Sequence, residues 1–109
     1  MRQLVRLKLK RDGKESLSYI TGSLNPFTKR AHITELHVAE QERGQGYGKM
    51  LVELFEMAAI MHIKTPIIVD LYSVTNAVAF YQKLGFMESA TMGVNHMSKT
   101  IGAVDVVNH

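Results

Sequence analysis

The sequence predicts one α/β (α+β) domain, residues 1–109, on a mixed, mostly antiparallel sheet with elements in the order βββ-α-β-α-ββ. Three observations carry this. Apolar and polar residues alternate with period two through the first forty residues. The period changes to a helical one near residue 45. A β-branched run, Ile67-Ile68-Val69, then follows the helix. A chain of 109 residues has room for one core and no second domain. Hydrophobic residues make up 46% and charged residues 21%, which excludes a disordered chain.

Val5, Leu7 and Leu9 alternate with Arg6, Lys8 and Lys10, the pattern of a half-buried strand. Asp12-Gly13 is a hairpin turn signal. Ser16 to Thr21 alternates again, with Leu17 and Tyr19 on one face. Gly22 to Arg30 holds Asn25-Pro26 and reads as a loop. Ala31 to Val38 is the third strand. Simple alternation puts His32, Thr34, Leu36 and Val38 on one side and Ile33, Glu35 and His37 on the other. From Gln45 to Ile63, Leu51, Leu54, Phe55, Ala58 and Met61 recur at helical spacing, and Pro66 ends that helix. Ile67-Ile68-Val69 suits a central strand. Ser73 or Thr75 is the expected cap of a second helix running to Leu84, with Gly85 at its C′ position. Phe86 to Thr91 and His96 to Ile101 complete the sheet as a strand pair.

The absence of cysteine excludes disulfides, thiolate metal sites and a catalytic thiol. With no His-x-x-x-His pair, the five histidines predict no metal site. His62 and His96 read as surface residues, and the seven methionines as core filler. No apolar run reaches the roughly 18–20 residues of a membrane span. Met1 to Lys10 lacks the apolar core of a signal peptide, so the expected address is the cytoplasm, with no membrane partner. The net charge of +3 favours anionic guests. Nucleic acid is not the expected partner: Arg2, Arg6, Lys8, Lys10, Arg11 and Lys14 read as a solvated edge that discourages aggregation.

The chemistry concentrates in Leu36-His37-Val38-Ala39-Glu40-Gln41-Glu42-Arg43-Gly44-Gln45-Gly46-Tyr47-Gly48-Lys49-Met50-Leu51. A strand leads through a glycine-rich turn into an amphipathic helix. The first N–H groups of a helix lack internal partners, and the helix dipole adds positive potential there. Glycines let a phosphate approach the backbone. The spacing is neither the dinucleotide fingerprint nor a P-loop. Three alternate glycines for chain reversal alone is the other reading of these residues.

This run, L-x-V-x-x-x-x-R-G-x-G-x-G before an apolar helix, resembles the acetyl-CoA pyrophosphate loop of the GNAT superfamily of N-acetyltransferases. Ala77-Val78-Ala79-Phe80-Tyr81-Gln82-Lys83-Leu84-Gly85-Phe86 is similar to that family's second motif, and the resemblance covers about Ala31 to Ile101. It implies that Arg43, Gly44, Gln45, Gly46, Gly48 and Lys49 hold the pyrophosphate of acetyl-CoA. It implies that Leu36, His37 and Val38 pair with the pantetheine arm in a gap where this strand splays from the next, Ile67 to Leu71. It implies that Tyr81 protonates the departing thiolate. Where the family has Asn, three residues before the aligned Ala77, this chain has Val74. Asn76 lies two residues out of register and is a cofactor contact only if the backbone shifts locally.

A neutral amine must attack the thioester, so a base is expected. Glu35 is the first choice, since acidic residues on that strand serve in the family; His32, His37 and Asp70 are the other candidates. The expected activity is transfer of acetyl from acetyl-CoA to a primary amine of a small molecule or protein by direct attack, without a metal. The alternative is a non-catalytic module that binds CoA or a protein partner on the same fold. A typical family domain opens with a strand and two helices before the hairpin. Here the hairpin strand starts close to Met1, and a fold lacking that leading unit is expected. The unit forms much of the family's acceptor wall. The acceptor is then expected to be large, or a second subunit completes the site as a homodimer, with Val104, Val106 and Val107 as a candidate pairing segment.

Overall fold

Alternation of apolar residues with cations at the start of the chain produces an edge strand with one dry face. In the computed structural model, which describes residues 2–89 and 93–102, β1 (Gln3–Arg11) turns at Asp12-Gly13 into β2 (Lys14–Asn25). Both turn residues have positive φ, 53° and 77°, as a tight two-residue hairpin requires. Then come β3 (Arg30–His37), a 3-10 turn (Glu40–Glu42), α1 (Tyr47–His62) and β4 (Ile67–Tyr72). A second 3-10 turn (Thr75–Ala77), α2 (Val78–Lys83), β5 (Met87–Glu88) and β6 (His96–Ile101) follow. The sheet order is β1-β2-β3-β4-β6-β5, with only β3 and β4 parallel. The expected mixed sheet and element order are present. No helix among the described residues is long and apolar enough to cross a membrane.

One face of the sheet packs on α1. Ile20, Leu24, Ala31, Ile33, Ile67, Val69, Leu71 and Met97 bury against Leu51, Val52, Phe55 and Ala59, and Tyr81 and Phe86 join the same core. Lys99 Nζ ties three elements together: it lies 2.8 Å from Glu56 of α1 and donates at 2.8 Å to the Leu84 carbonyl that ends α2. Gly85, at φ 96°, closes α2, with Gly85 N–H on the Gln82 carbonyl and Phe86 N–H on that of Tyr81, the hydrogen-bond pattern of a glycine C-cap.

Several expectations are corrected. Gly22 to Asn25 is strand, not loop. Gly22 belongs there because Phe55 fills the space its side chain would take: a Cβ would stand 2.5 Å from the Phe55 ring. Leu17 and Tyr19 share a face, but the buried side of β2 is that of Ser16, Ser18 and Ile20. Gln45 precedes α1, because the glycine turn continues through Gly46, a left-handed N-cap at φ 79°. Neither Ser73 nor Thr75 caps α2: Ser73 Oγ donates to the Val74 carbonyl and Thr75 Oγ1 accepts from Asn95. Met97 is core, but Met50, Met57, Met61 and Met87 are exposed. The expected strand over Phe86 to Thr91 is described only at Met87–Glu88; residues 90–92, and the candidate pairing segment at Val104, Val106 and Val107, lie outside the described residues.

The third strand holds the most consequential correction. Thr21 pairs with Glu35 and Gly22 with Ile33, so Thr34 is an extra residue, a β-bulge. Paired residues share a face. Ile20–Leu36, Gly22–Ile33 and Leu24–Ala31 therefore face the core, while Tyr19–His37, Thr21–Glu35 and Ser23–His32 face away. The bulge puts His32 and Glu35 on the same side, where simple alternation put them on opposite sides.

Gly22→Val should destabilise the fold by about 3 kcal/mol or more, since overpacking here meets backbone and a fully buried ring. Urea denaturation of the variant measures it.

Candidate active site

Parallel pairing of β3 and β4 covers Arg30–Ile68 to Ile33–Leu71 and then stops, although β3 continues to His37. The bulge at Thr34 sits at the point of separation. A bulge bends its strand and increases local twist, so the two strands fork. The backbone groups of β3 beyond Ile33 that would meet β4 are left for another partner. A cavity of ≈ 220 Å³ fills the fork, lined by Ile33, Thr34, Glu35, Leu36, Leu71, Tyr72, Ser73, Val74, Ala77 and Tyr81.

A second cavity, ≈ 350 Å³, adjoins it and runs along the start of α1 between β3 and α2. Its lining includes Leu36, Val38, Arg43, Gly44, Gly46, Gly48, Lys49, Phe80 and Tyr81. The first bond of α1 runs from Met50 N–H to the Gly46 carbonyl, so the N–H groups of Tyr47, Gly48 and Lys49 have no partner within the helix. Gly44 and Gly46 have φ of 78° and 79°, which only glycine adopts cheaply, and among the described residues a Cβ on either would meet nothing within 4 Å. Gly48 is closed in instead: its Cβ would lie 3.0 Å from the Phe80 ring. An anion-binding helix start, two cations and an apolar wall of Leu36, Val38 and Phe80 match a ligand with a diphosphate and a long, weakly polar arm.

Tyr81 lines both cavities. It is 8% exposed, and burial raises its phenol above the ordinary tyrosine value. It therefore keeps its proton at neutral pH until a strong base forms beside it.

A clamp that the sequence reading missed fastens the loop. Glu42 accepts from Ser16 Oγ at 2.6 Å, Ser18 Oγ at 2.6 Å and Ser18 N–H at 3.0 Å. Ser18 Oγ in turn accepts from Ala39 N–H at 2.9 Å. These bonds, those of Ser16 first, hold the Glu42 carboxyl below its ordinary value. Ser16 and Ser18 occupy the buried face of β2, and buried hydroxyls need partners; that was the available signal. Glu42 stands next to Arg43, so it sets where the glycine turn begins.

The residues expected as bases lie on β3 and β4 beside the fork. Glu35 lines the fork cavity and accepts the Tyr19 hydroxyl at 2.9 Å. His32 and Asp70, separate candidates in the sequence, are in contact: Nδ1 to Oδ1 is 2.9 Å. His96, expected at the surface, is 3% exposed and holds the other Asp70 oxygen at 3.0 Å. Register brings it there, since β6 pairs with β4. Burial works to raise the Asp70 carboxyl, but hydrogen bonds from His96 and His32 outweigh it and hold the group low. His37 is exposed, its ring 5.2 Å from that of Tyr19. Among the described residues, no group of three or more His, Asp or Glu is placed to hold a metal ion.

The model of the acetyltransferase (GNAT) domain matches residues 9–88. The chain belongs to the GNAT acetyltransferase family. Solved structures agree. An acetyltransferase from Bacillus cereus ATCC 14579 is 28% identical with a TM-score of 0.68, over 92% of this chain and 74% of that one. Tetrahymena GCN5 is 19% identical with a TM-score of 0.74, over 94% and 72%. The PaiA N-acetyltransferase of Thermoplasma acidophilum, solved in complex with coenzyme A, is 20% identical with a TM-score of 0.74, over 89% and 60%. A search of curated proteins found no match.

Within this GNAT domain most of the sequence-derived cofactor residues converge. Leu36, Val38, Arg43, Gly44, Gly46, Gly48 and Lys49 line one cavity. Gln45, His37 and Asn76 line neither. Asn76 lies in the 3-10 turn before α2 and is exposed. The position that the family fills with Asn, Val74, does face the fork.

Glu42→Ala should weaken acetyl-CoA binding measured by calorimetry, because the loop loses its tether. Its effect on stability should depend on pH. A lowered carboxyl stabilises the fold above its unfolded value, about pH 4.3, and that contribution disappears as pH falls through the lower folded value. Thermal melts of wild type and variant should therefore converge as the pH is taken below about 4.

Proposed function

We propose that this domain transfers the acetyl group of acetyl-CoA to a primary amine by direct attack on the thioester. The observation that supports this most is the meeting of two cavities at Tyr81, one shaped for the cofactor and one open for an acceptor. The N–H groups of Tyr47, Gly48 and Lys49, with Arg43 and Lys49 side chains, would hold the pyrophosphate. The backbone of Leu36 to Val38 would pair with the pantetheine arm, as a strand does at an open edge. A backbone N–H there would polarise the thioester carbonyl.

The acceptor enters through the fork. Glu35 supplies negative charge that draws a cationic amine and orients it. When the amine nitrogen bonds to the carbonyl carbon and the C–S bond breaks, Tyr81 donates its proton to the thiolate. Its raised pKa suits this order of events, since a phenol that ionised early could not serve as acid.

Release of CoA thiol is a clean readout, because the chain has no cysteine of its own. Wild type should bind acetyl-CoA and release thiol with at least one of a lysine peptide, a peptide N-terminus, spermidine or an aminoglycoside. Binding with no thiol release from any amine would favour the non-catalytic module. Gly46→Glu should abolish acetyl-CoA binding by calorimetry, because it places a carboxylate over the anion site and a side chain at positive φ. Tight binding by this variant would remove the site. Tyr81→Phe should lower kcat by roughly 100-fold with acetyl-CoA affinity little changed.

A further inference from the structure

Three side chains beside the fork have no part in the reading above. His32 and Asp70 form a directly paired rung of β3 and β4, one rung before the last, Ile33–Leu71. Both point to the face away from α1. Asp70 is bracketed: His32 Nδ1 lies 2.9 Å from Oδ1, His96 Nε2 lies 3.0 Å from Oδ2, and Arg30 stands 3.7 Å from Oδ2. Asp70 and His96 are buried, whereas the His32 side chain is 37% exposed. Tyr72 presents its ring to both imidazoles, at 6.1 Å and 5.0 Å between centroids, and also lines the fork cavity. The cluster is therefore the next layer behind the acceptor wall.

Tautomers follow from the donor inventory. An ionised carboxylate only accepts, so each imidazole nitrogen facing Asp70 carries a proton. His96 donates from Nε2 and so holds Asp70 in place; its Nδ1 is buried with no partner among the described residues. His32 donates from Nδ1, which leaves its lone pair on Nε2 at the exposed edge of the ring. A carboxylate that orients a histidine also stabilises the imidazolium once a proton arrives.

We propose that His32, oriented by Asp70 and through it by His96, is the general base that takes the proton from the acceptor ammonium. The proposal rests on the transfer reading above. Glu35, on the same face of β3, is engaged with the Tyr19 hydroxyl and attracts the cation, and His32, one layer behind, removes its proton through water. Among the described residues, the other charged or titratable groups around His32 are Asp70 and Tyr72 on β4, Arg30 on its own strand and His96 on β6; opposite it, β2 supplies the neutral Ser23. The balance closes. His32 takes one proton from the ammonium and passes it to water. The nitrogen attacks, the C–S bond breaks, and the thiolate receives the Tyr81 proton. The nitrogen's second proton restores Tyr81, so one amide, one thiol and one released proton result. His32 is the catalytic residue; Asp70 and His96 are positioning residues.

The experiment compares wild type and His32→Gln across pH, with acetyl-CoA and the best amine from the panel, by thiol release. Gln keeps an N–H for Asp70 but cannot accept a proton at neutral pH. Expected are a loss in kcat/KM for the amine of about 100-fold or more, unchanged acetyl-CoA affinity, loss of the ascending acid-side limb of the pH profile, and partial rescue by free imidazole. Asp70→Asn should lower kcat and shift that limb; His96→Gln should do so more weakly. Wild-type kcat/KM and an intact limb in His32→Gln would overturn the proposal. Nitrogen-15 spectra of the wild-type imidazoles give a readout that needs neither a folded variant nor an acceptor. A proton on Nδ1 of His32 supports the base assignment and one on Nε2 overturns it. Should wild type transfer acetyl to none of the amines, the transfer reading fails and the base assignment fails with it. Transfer by wild type with an unaffected His32→Gln defeats the base assignment alone.

Discussion

The site depends on one broken pairing. Two parallel strands in the middle of a sheet ordinarily satisfy each other's backbone along their whole length, because an unpaired buried amide is costly. Here β3 and β4 pair over four rungs and then separate. An extra residue, Thr34, enters β3 on its other side, opposite β2. The same residue turns the strand and exchanges the faces of everything after it. A cavity opens between the strands, with unpaired backbone on its wall, and the glycine turn that follows β3 is carried to the mouth of that cavity. Without the fork, Arg43 to Gly48 would be a glycine turn with no second cavity beside it.

The surroundings of the fork are rigid where the chemistry needs position and open where a ligand must enter. Fully buried Phe55 packs where Gly22 leaves room and fixes β2 against α1. Glu42 fastens the start of the glycine turn to Ser16 and Ser18 with short hydrogen bonds. Lys99 joins the end of α2 to α1. Tyr81 therefore stands on a short helix held at its end, between two cavities. Gly44 and Gly46, by contrast, have no neighbour above them among the described residues.

Local signals were legible and long-range ones were not. The hairpin at Asp12-Gly13, the glycine turn, the helix after it and Gly85 as a C-cap are all set by chain neighbours, and the structure has each of them. The extent of β2 is not legible because Gly22 has the look of a loop residue; its reason, Phe55, is thirty-three residues away. Nothing near His96 in sequence marks it as buried. Its partner Asp70 lies on an adjacent strand, and only register brings them together. Alternation gives the wrong faces for the end of β3, because a bulge is a feature of pairing that alternation does not reveal.

The sequence by itself determined the mixed sheet, the glycine turn and the helix after it, and its two motifs carry the resemblance to the family. The elements follow from backbone conformation and hydrophobic period, which neighbouring residues dictate. Only the tertiary structure decided which side chains gather beside the fork: that His32 shares a face with Glu35, that Asp70 binds two imidazoles, and that Glu42 belongs to the loop's support. Those follow from strand register and from one unpaired residue, and register is set by contacts between segments far apart in the chain.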